Sequence, residues 1–511
     1  MRITTSLLSG AALGFLLTGF GSTAQAQSAD DQSAQAARAQ TEAEVRELRE
    51  RLRLLEERIA NPPQASSTAT SSGAGIGPDK LAIKGVNITL GGFAAAESVY
   101  RSANETADIA SSFSAIPLPN SALGHTSELR MTARQSRLSA LMQGRVSDTT
   151  QAAMYGEFDF LGAAQTANSN ESNSYTPRIR NLYGTVDWDS TGLHLLAGQN
   201  WSLVTMNTMG ITPRNEAPPL VIEAQYVPGF SWTRQPQIRL TKDFDKTLWL
   251  AVSIENPQTT FYAGANPLPA SLHLLSNATG GSGFNSANSL SLNHIPDVVG
   301  KIAYEPVLGG RALHLEAFGL YRSFFDRYSF ENHDVSGGGF GAGAIFAIVP
   351  KILELRISGM SGRGIGRYGS AQLPDVTFNP NGEIAPIREK MGLVGLTLHA
   401  MPTLEVYAYA GVEKDDQQGF TLGGVQYGYG NPLYDNSACV SESIKGTCVG
   451  NTKRIEQETI GFWERFYQGN YGRLQFGIQY SRSERKVFDG VGGAPSGDED
   501  MIFTSFRYYP F

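Results

Sequence analysis

From about Leu81 to Phe511 apolar and polar residues alternate, and this period of two constrains the fold more than any other feature of the chain. Leu248, Leu250, Val252 and Ile254 alternate with Trp249, Ala251, Ser253 and Glu255. Leu353, Leu355 and Ile357 alternate with Glu354, Arg356 and Ser358, and Leu404, Val406, Ala408 and Ala410 with Glu405, Tyr407 and Tyr409. The pattern recurs where Leu474, Phe476, Ile478 and Tyr480 alternate with Arg473, Gln475, Gly477 and Gln479, and where Met154, Phe158 and Phe160 alternate with Tyr155, Glu157 and Asp159. A soluble sandwich would alternate as well. Three facts favour a barrel in a bilayer. The polar faces carry full charges, which suits a wet lumen. The segments run about 9–14 residues, enough for a tilted strand to cross the hydrocarbon. Short turns (Val307-Leu308-Gly309-Gly310, Val349-Pro350-Lys351, Met401-Pro402, Gln468-Gly469-Asn470) alternate with long polar stretches at roughly 259–296, 361–389 and 414–453.

Candidate strands centre near residues 93, 140, 156, 183, 196, 238, 251, 302, 317, 344, 356, 396, 408, 462, 477 and 505. The expected fold is therefore all-β: a transmembrane antiparallel β-barrel of about 16 strands with an aqueous interior, preceded by a short α-helical coiled coil. The strand near 183 is irregular, because Arg178 and Arg180 fit neither face cleanly. Helical spans are excluded. Hydrophobic residues make up 41% of the chain, yet mean hydropathy is −0.21, and beyond Leu7–Phe20 there is no run of about 20 apolar residues.

The N-terminus divides into three further zones. Residues 1–26 read as a signal peptide: Arg2, the apolar Leu7–Phe20, then Ala24-Gln25-Ala26 as a cleavage site. Within 27–62, Val45, Leu48, Leu52, Leu55 and Ile59 recur at spacings of three and four, a heptad seam with Arg and Glu at its flanks. So short a coil needs another contact to hold its chains together, and an amphipathic helix lying on its own barrel is the alternative. Residues 63–80 have linker composition, leaving 81–511 for the barrel. In an exported chain Cys439 and Cys448, nine positions apart, are expected to close one loop disulfide, with two free thiols as the alternative. A net charge of −7 disfavours nucleic acid as a partner.

Motifs for catalysis or nucleotide binding are missing, and no cofactor or metal is implied. Gly337-Gly338-Gly339-Phe340-Gly341-Ala342-Gly343 lacks a βαβ context and reads as close packing or bending of a strand. His314 and His399 are the strand histidines on offer for an enzyme, without a partner, so no enzyme is expected. The informative charges are arginines. Arg137 is opposite in parity to Leu138 and Met142, and Arg239 to Ile238 and Leu240, while Arg178 and Arg180 sit two apart and Arg234 lies in the strand that holds Arg239. Guanidinium is permanently charged and grips carboxylate or phosphate bidentately. Glu157 and Asp159 are available as lumenal counter-charges, so bracing of the wall competes with anion selection. Segment 202–233, with Pro213, Pro218, Pro219 and Pro228, is either an inward-folded constriction or an external loop.

Several short motifs, in order, resemble the DcaP-like outer-membrane porins. They are Gly91-Gly92-Phe93, Ala133-Arg134-Gln135-Ser136-Arg137-Leu138, Gly156-Glu157-Phe158-Asp159-Phe160, Arg178-Ile179-Arg180, Leu196-Ala197-Gly198-Gln199-Asn200-Trp201, Arg234-Gln235-Pro236-Gln237-Ile238-Arg239 and Gly461-Phe462-Trp463. The resemblance implies a trimeric sixteen-stranded channel with a periplasmic coil, passing dicarboxylates and related small anions by passive diffusion. Its partners would be those solutes, outer-membrane lipids and lipopolysaccharide, and copies of itself. Phe511, closing an aromatic last strand, resembles the signal read by the outer-membrane assembly machinery, although Pro510 and the parity of Arg507 depart from the usual pattern. Tyr508, Tyr509 and Phe511 are expected in the periplasmic aromatic girdle. A phosphate-selective or general porin, and a structural envelope tether with a coil-mediated partner, are the alternatives.

Overall fold

A computed structural model describes residues 80–162, 176–262, 266, 268–269, 293–328 and 330–511. The signal peptide, the heptad seam (Val45, Leu48, Leu52, Leu55, Ile59) and all of the linker but its last residue lie outside the described residues. The chain enters through a short strand, Lys80–Ile83, that pairs with the start of the first barrel strand.

Sixteen wall strands then follow among the described residues, with shorter strands in the connections. They are β1 (Val86–Arg101), β2 (Arg137–Ser147), β3 (Thr150–Gly162), β4 (Thr176–Trp188), β5 (Leu193–Trp201) and β6 (Arg234–Phe244). Next come β7 (Leu248–Glu255), β8 (Asp297–Tyr304), β9 (Arg311–Tyr328), β10 (Glu331–Val349) and β11 (Leu353–Arg363). The last five are β12 (Arg388–His399), β13 (Leu404–Asp415), β14 (Thr452–Gly469), β15 (Gly472–Val487) and β16 (Ser496–Tyr509). Each pairs antiparallel with its neighbour, and β16 returns to β1 from Tyr508↔Ala94 to Met501↔Arg101. The barrel is closed and leaves no open edge. All sixteen strand centres read from the sequence fall inside these strands.

Alternation sorts side chains as expected. In β7 Leu250, Val252 and Ile254 face outward while Trp249, Ala251, Ser253 and Glu255 are buried inside. In β6 Ile238 and Leu240 are exposed and Arg239 is buried. The irregularity near residue 183 is a bulge: Glu157 pairs with Asn181 and Phe158 with Ile179, so Arg180 is left over. The extra residue switches the parity of β4. Arg178 and Arg180 therefore share the inner face with Tyr183 and Thr185 beyond the bulge.

At the C-terminus one expectation is corrected. Tyr508 is outward, but Tyr509 faces the lumen, where its ring lies 5.1 Å from Phe93 and under the Arg473 guanidinium at 4.0 Å. Arg507 belongs to the same inward set as Phe503 and Ser505 and binds Glu97 at 2.8 Å, so its parity is regular. Phe511 follows the last strand and is exposed.

The interior is not simply aqueous. Segment 202–233 folds inward, where Val221, Ile222, Tyr226, Val227 and Phe230 pack against Val99, Leu393, Tyr407, Tyr409, Trp463 and Phe503 from the wall. A second cluster joins Leu203, Val204 and Ile211 to Trp249, Phe318, Leu320 and Met360. Large apolar residues on the inner face are thus covered by chain rather than by water, and each of the larger ones contributes about 1.5–3 kcal/mol by burial. Glycines permit the approach. In β10 the inward Gly341 and Gly343 make room for Phe318 and Met206, as the glycine run suggested. A Cβ on the inward Gly411 of β13 would collide with the Pro228 carbonyl oxygen. Gly411→Ala is therefore expected to cost about 1–3 kcal/mol by overpacking, read as a lower midpoint of heat modification. Gly319→Ala, on the outer face with nothing near its Cβ, should leave that midpoint unchanged.

Candidate pore constriction

Segment 202–233 connects β5 to β6 and crosses the lumen. Having no strand partner, its backbone must find hydrogen bonds elsewhere, and the inner wall supplies them. The Ile222 N–H donates to Gln479 Oε1 at 2.6 Å, and Gln135 Nε2 donates to the Ile222 carbonyl at 2.6 Å. The Leu220 N–H donates to the Tyr409 hydroxyl at 3.2 Å, and Trp463 Nε1 to the Leu220 carbonyl at 2.8 Å. Arg356 holds the carbonyls of Ala217 and Pro218, and Lys301 that of Thr205. Glu413 accepts from the Gly229 N–H at 2.7 Å. The segment is anchored on β8, β11, β13, β14 and β15, so the alternative left open by the sequence resolves to an inward fold. Two other connections join it: the Ala224 N–H donates to Ile109, and the Trp232 N–H to Tyr368.

The arginines gather on one side. Arg178 grips Asp159 with two bonds, at 3.0 and 2.8 Å. Arg180 binds Glu157 at 2.6 Å, Asp159 at 2.9 Å and the Tyr226 hydroxyl at 3.3 Å. Arg137 lies over the Phe93 ring at 5.4 Å. Arg234 lies 4.9 Å from the Trp201 ring and 5.0 Å from the Trp232 ring. Four guanidiniums thus face two carboxylates, and buried Arg137 Nε and Arg234 Nη1 have no hydrogen-bond partner among the described residues. Arg239 stands apart. It is only 3% exposed, and it donates to Gln237 Oε1 and to the Trp201 carbonyl, bracing the root of the crossing segment.

Tyr226 reports the field at this point. Burial pushes its phenol up, but Arg180, Arg234 and Arg137 together pull it below the ordinary tyrosine range. Its backbone is also strained, with φ at +69°, a region bulky residues enter only when their surroundings hold them there. Inward carboxylates lie on other strands: Glu389 on β12, and Glu413 and Asp415 on β13, all buried. Sequence parity identified the arginine side, but not Tyr226, whose role depends on a long-range fold of the segment.

Other expectations find their places. Cys439 and Cys448 are disulfide-bonded in the connection between β13 and β14, against Leu118 and Val487. His314 is not without partners, since it lies between Glu305 at 2.6 Å and Glu316 at 2.9 Å, and His399 contacts Glu405 at 3.2 Å. His194 on β5, between Asp187 and Asp243, and His333 on β10 are strand histidines that pattern reading passed over.

Glu223, on the crossing segment, accepts the Ser111 N–H at 2.9 Å, the Gln225 N–H at 3.0 Å and the Ser111 hydroxyl at 2.8 Å. Burial raises its carboxyl to about 7 despite Arg101. The folded chain thus keeps a proton that the unfolded chain loses near 4.5. Stability associated with this group is complete below pH 4.5, falls as pH rises toward 7, and is flat above. Glu223→Gln keeps the Oε1 acceptor. Its heat-modification midpoint should match wild type at pH 4 and exceed it at pH 8.

No protein-family model matches the chain, and no curated protein matches it in sequence. Among solved structures it is similar to the outer membrane channel DcaP of Acinetobacter baumannii, with 17% identity, 85% of this chain and 100% of that chain covered, and a TM-score of 0.57. Looser overlaps are with OprB of Pseudomonas putida (10% identity, 83% and 94% covered, TM-score 0.46) and an anion-selective porin from Comamonas acidovorans (10%, 83% and 99%, 0.44). With its closed sixteen-stranded wall, this chain has the DcaP-like porin fold.

Proposed function

We propose that the protein is a passive outer-membrane channel for small anions, dicarboxylates among them. The observation that carries this reading is the gathering of Arg137, Arg178, Arg180 and Arg234 against only two carboxylates, beside Tyr226, whose hydroxyl accepts from Arg180 at 3.3 Å; such an excess of positive charge favours a carboxylate in transit. Arg137 and Arg234 keep unpaired N–H donors, and the side chain of Arg178 is 37% exposed, so the cluster has capacity left after Glu157 and Asp159 are served. A channel needs such a narrowing with charges that sort solutes, held loosely enough to let them go. Crossing by diffusion consumes no bond chemistry.

In this reading the short turns face the periplasm and the long connections face outside. Residues 27–62 form the periplasmic coil, whose heptad seam supports a homotrimer, and residues 1–26 direct export. Phe511 closes the strand read by the assembly machinery.

The reading is tested by the reversal potential of single channels in a planar bilayer under a salt gradient. Wild type is expected to prefer anions and to close in three steps. Arg137→Gln/Arg234→Gln should lose most of that preference while keeping the steps, and Arg239→Gln should lower stability more than selectivity. Cation preference in wild type would overturn the proposal.

A further inference from the structure

The outer wall carries a second concentration of positive charge that the pore does not use. At the ends of the strands that lead into the long connections, Arg363 on β11, Arg388 and Lys390 on β12 and Lys414 on β13 all point outward and are exposed. They meet across the sheet as like charges: Arg363 pairs with Arg388, and Lys390 with Lys414. The row runs on through Arg454 of β14 to Lys486 of β15. Like charges directly opposite each other destabilise a sheet. Among the described residues Arg454 has Glu456 at 3.0 Å, while Arg363, Arg388, Lys390 and Lys414 have no ion-pair partner. On β12 and β13 the outward residues below the row turn apolar: Val394, Leu396 and Leu398, and Val412, Ala410 and Ala408.

Directly below lies a trough. Ala317, Ala342, Gly359 and Gly392 sit side by side on the outer faces of β9 to β12. Bulkier residues, Leu315 and Ile357 on one side and Phe340 on the other, form its banks. The groove measures about 920 Å³ and Lys390 is among its lining residues. An uncompensated basic row thus stands at the mouth of an apolar groove, on the face turned to lipid.

We propose that this face binds a phosphorylated lipid of the outer leaflet, with its phosphates on Arg363, Arg388, Lys390 and Lys414 and an acyl chain in the trough. Arginine and lysine beside a membrane surface favour anionic headgroups, each to a modest and salt-screened degree. A phosphate between opposed cations removes the repulsion the wall otherwise bears. The inference rests on placement of the barrel in an outer membrane and is independent of which solute the pore carries.

The test uses the full-length protein in detergent and native mass spectrometry, with bis-phosphorylated lipid A, its dephosphorylated counterpart and inorganic phosphate as probes. Wild type should retain the phosphorylated lipid and release the dephosphorylated one. Arg363→Gln/Arg388→Gln/Lys390→Gln/Lys414→Gln should bind the phosphorylated lipid about tenfold more weakly or worse, with reversal potential unchanged. Should that variant not fold, Lys390→Gln/Lys414→Gln and Gly359→Leu, which fills the trough, should each show a partial loss. Equal retention of both lipids would overturn the proposal, as would displacement by inorganic phosphate at matched concentration. Loss of oligomer with lipid binding intact would also overturn it, assigning the face to contacts between copies.

Discussion

Backbone left without a strand partner inside a closed barrel must be satisfied by side chains of the wall, and the rest of this structure follows from how that is done. Segment 202–233 carries its N–H and carbonyl groups across the lumen, where Gln135, Lys301, Arg356, Tyr409, Glu413, Trp463 and Gln479 receive them. Unmade, each such bond would leave a buried polar group at a cost of about 1–3 kcal/mol. The polar residues on the inner face serve two ends: some pair with one another, and others act as fixed brackets for chain. The apolar residues interleaved with them, Tyr407, Trp463 and Phe503, pack against the same segment. Position and rigidity of the narrowing are thus properties of the whole wall, not of one loop.

Charge is arranged on that frame with different degrees of neutralisation. Arg180 is fully engaged by Glu157, Asp159 and Tyr226, which fixes its geometry and leaves its field to act on its surroundings. Arg137 and Arg234 are held by aromatic faces instead. A ring orients a guanidinium without cancelling its charge, so Arg137 Nε and Arg234 Nη1 stay without a hydrogen-bond partner among the described residues. Arg239 resembles them in sequence parity, but in the fold it is a brace at the root of the segment. Whether an arginine keeps unpaired donors or braces the chain is set by what covers each one.

How much of this was legible in the sequence depends on the range of the interaction. Strand number, strand faces and the inward sense of Arg137 and Arg239 follow from a period of two within a few residues, and all were readable. The Arg178–Arg180 anomaly was visible as a conflict of parity, though the bulge that resolves it needs the register against Glu157 and Phe158. Tyr509 was misplaced because aromatic composition near a terminus suggests a girdle, whereas its pairing with Arg473 across the sheet fixes it inward. Segment 202–233 had no local period to read: its hydrogen-bond partners lie up to 257 residues away, as with Ile222 and Gln479. The residues that give the site its character, Tyr226 and Glu223, were hidden for the same reason.

Whether segment 202–233 spans and narrows the lumen is decided by single-channel conductance after replacing residues 217–228 with a short flexible linker. Heat modification would first establish that the barrel still closes. Conductance should rise severalfold, because the wall is unchanged while its crossing strap is gone. Conductance equal to wild type from a properly closed barrel would mean that the segment does not narrow the lumen and that the limiting aperture lies elsewhere.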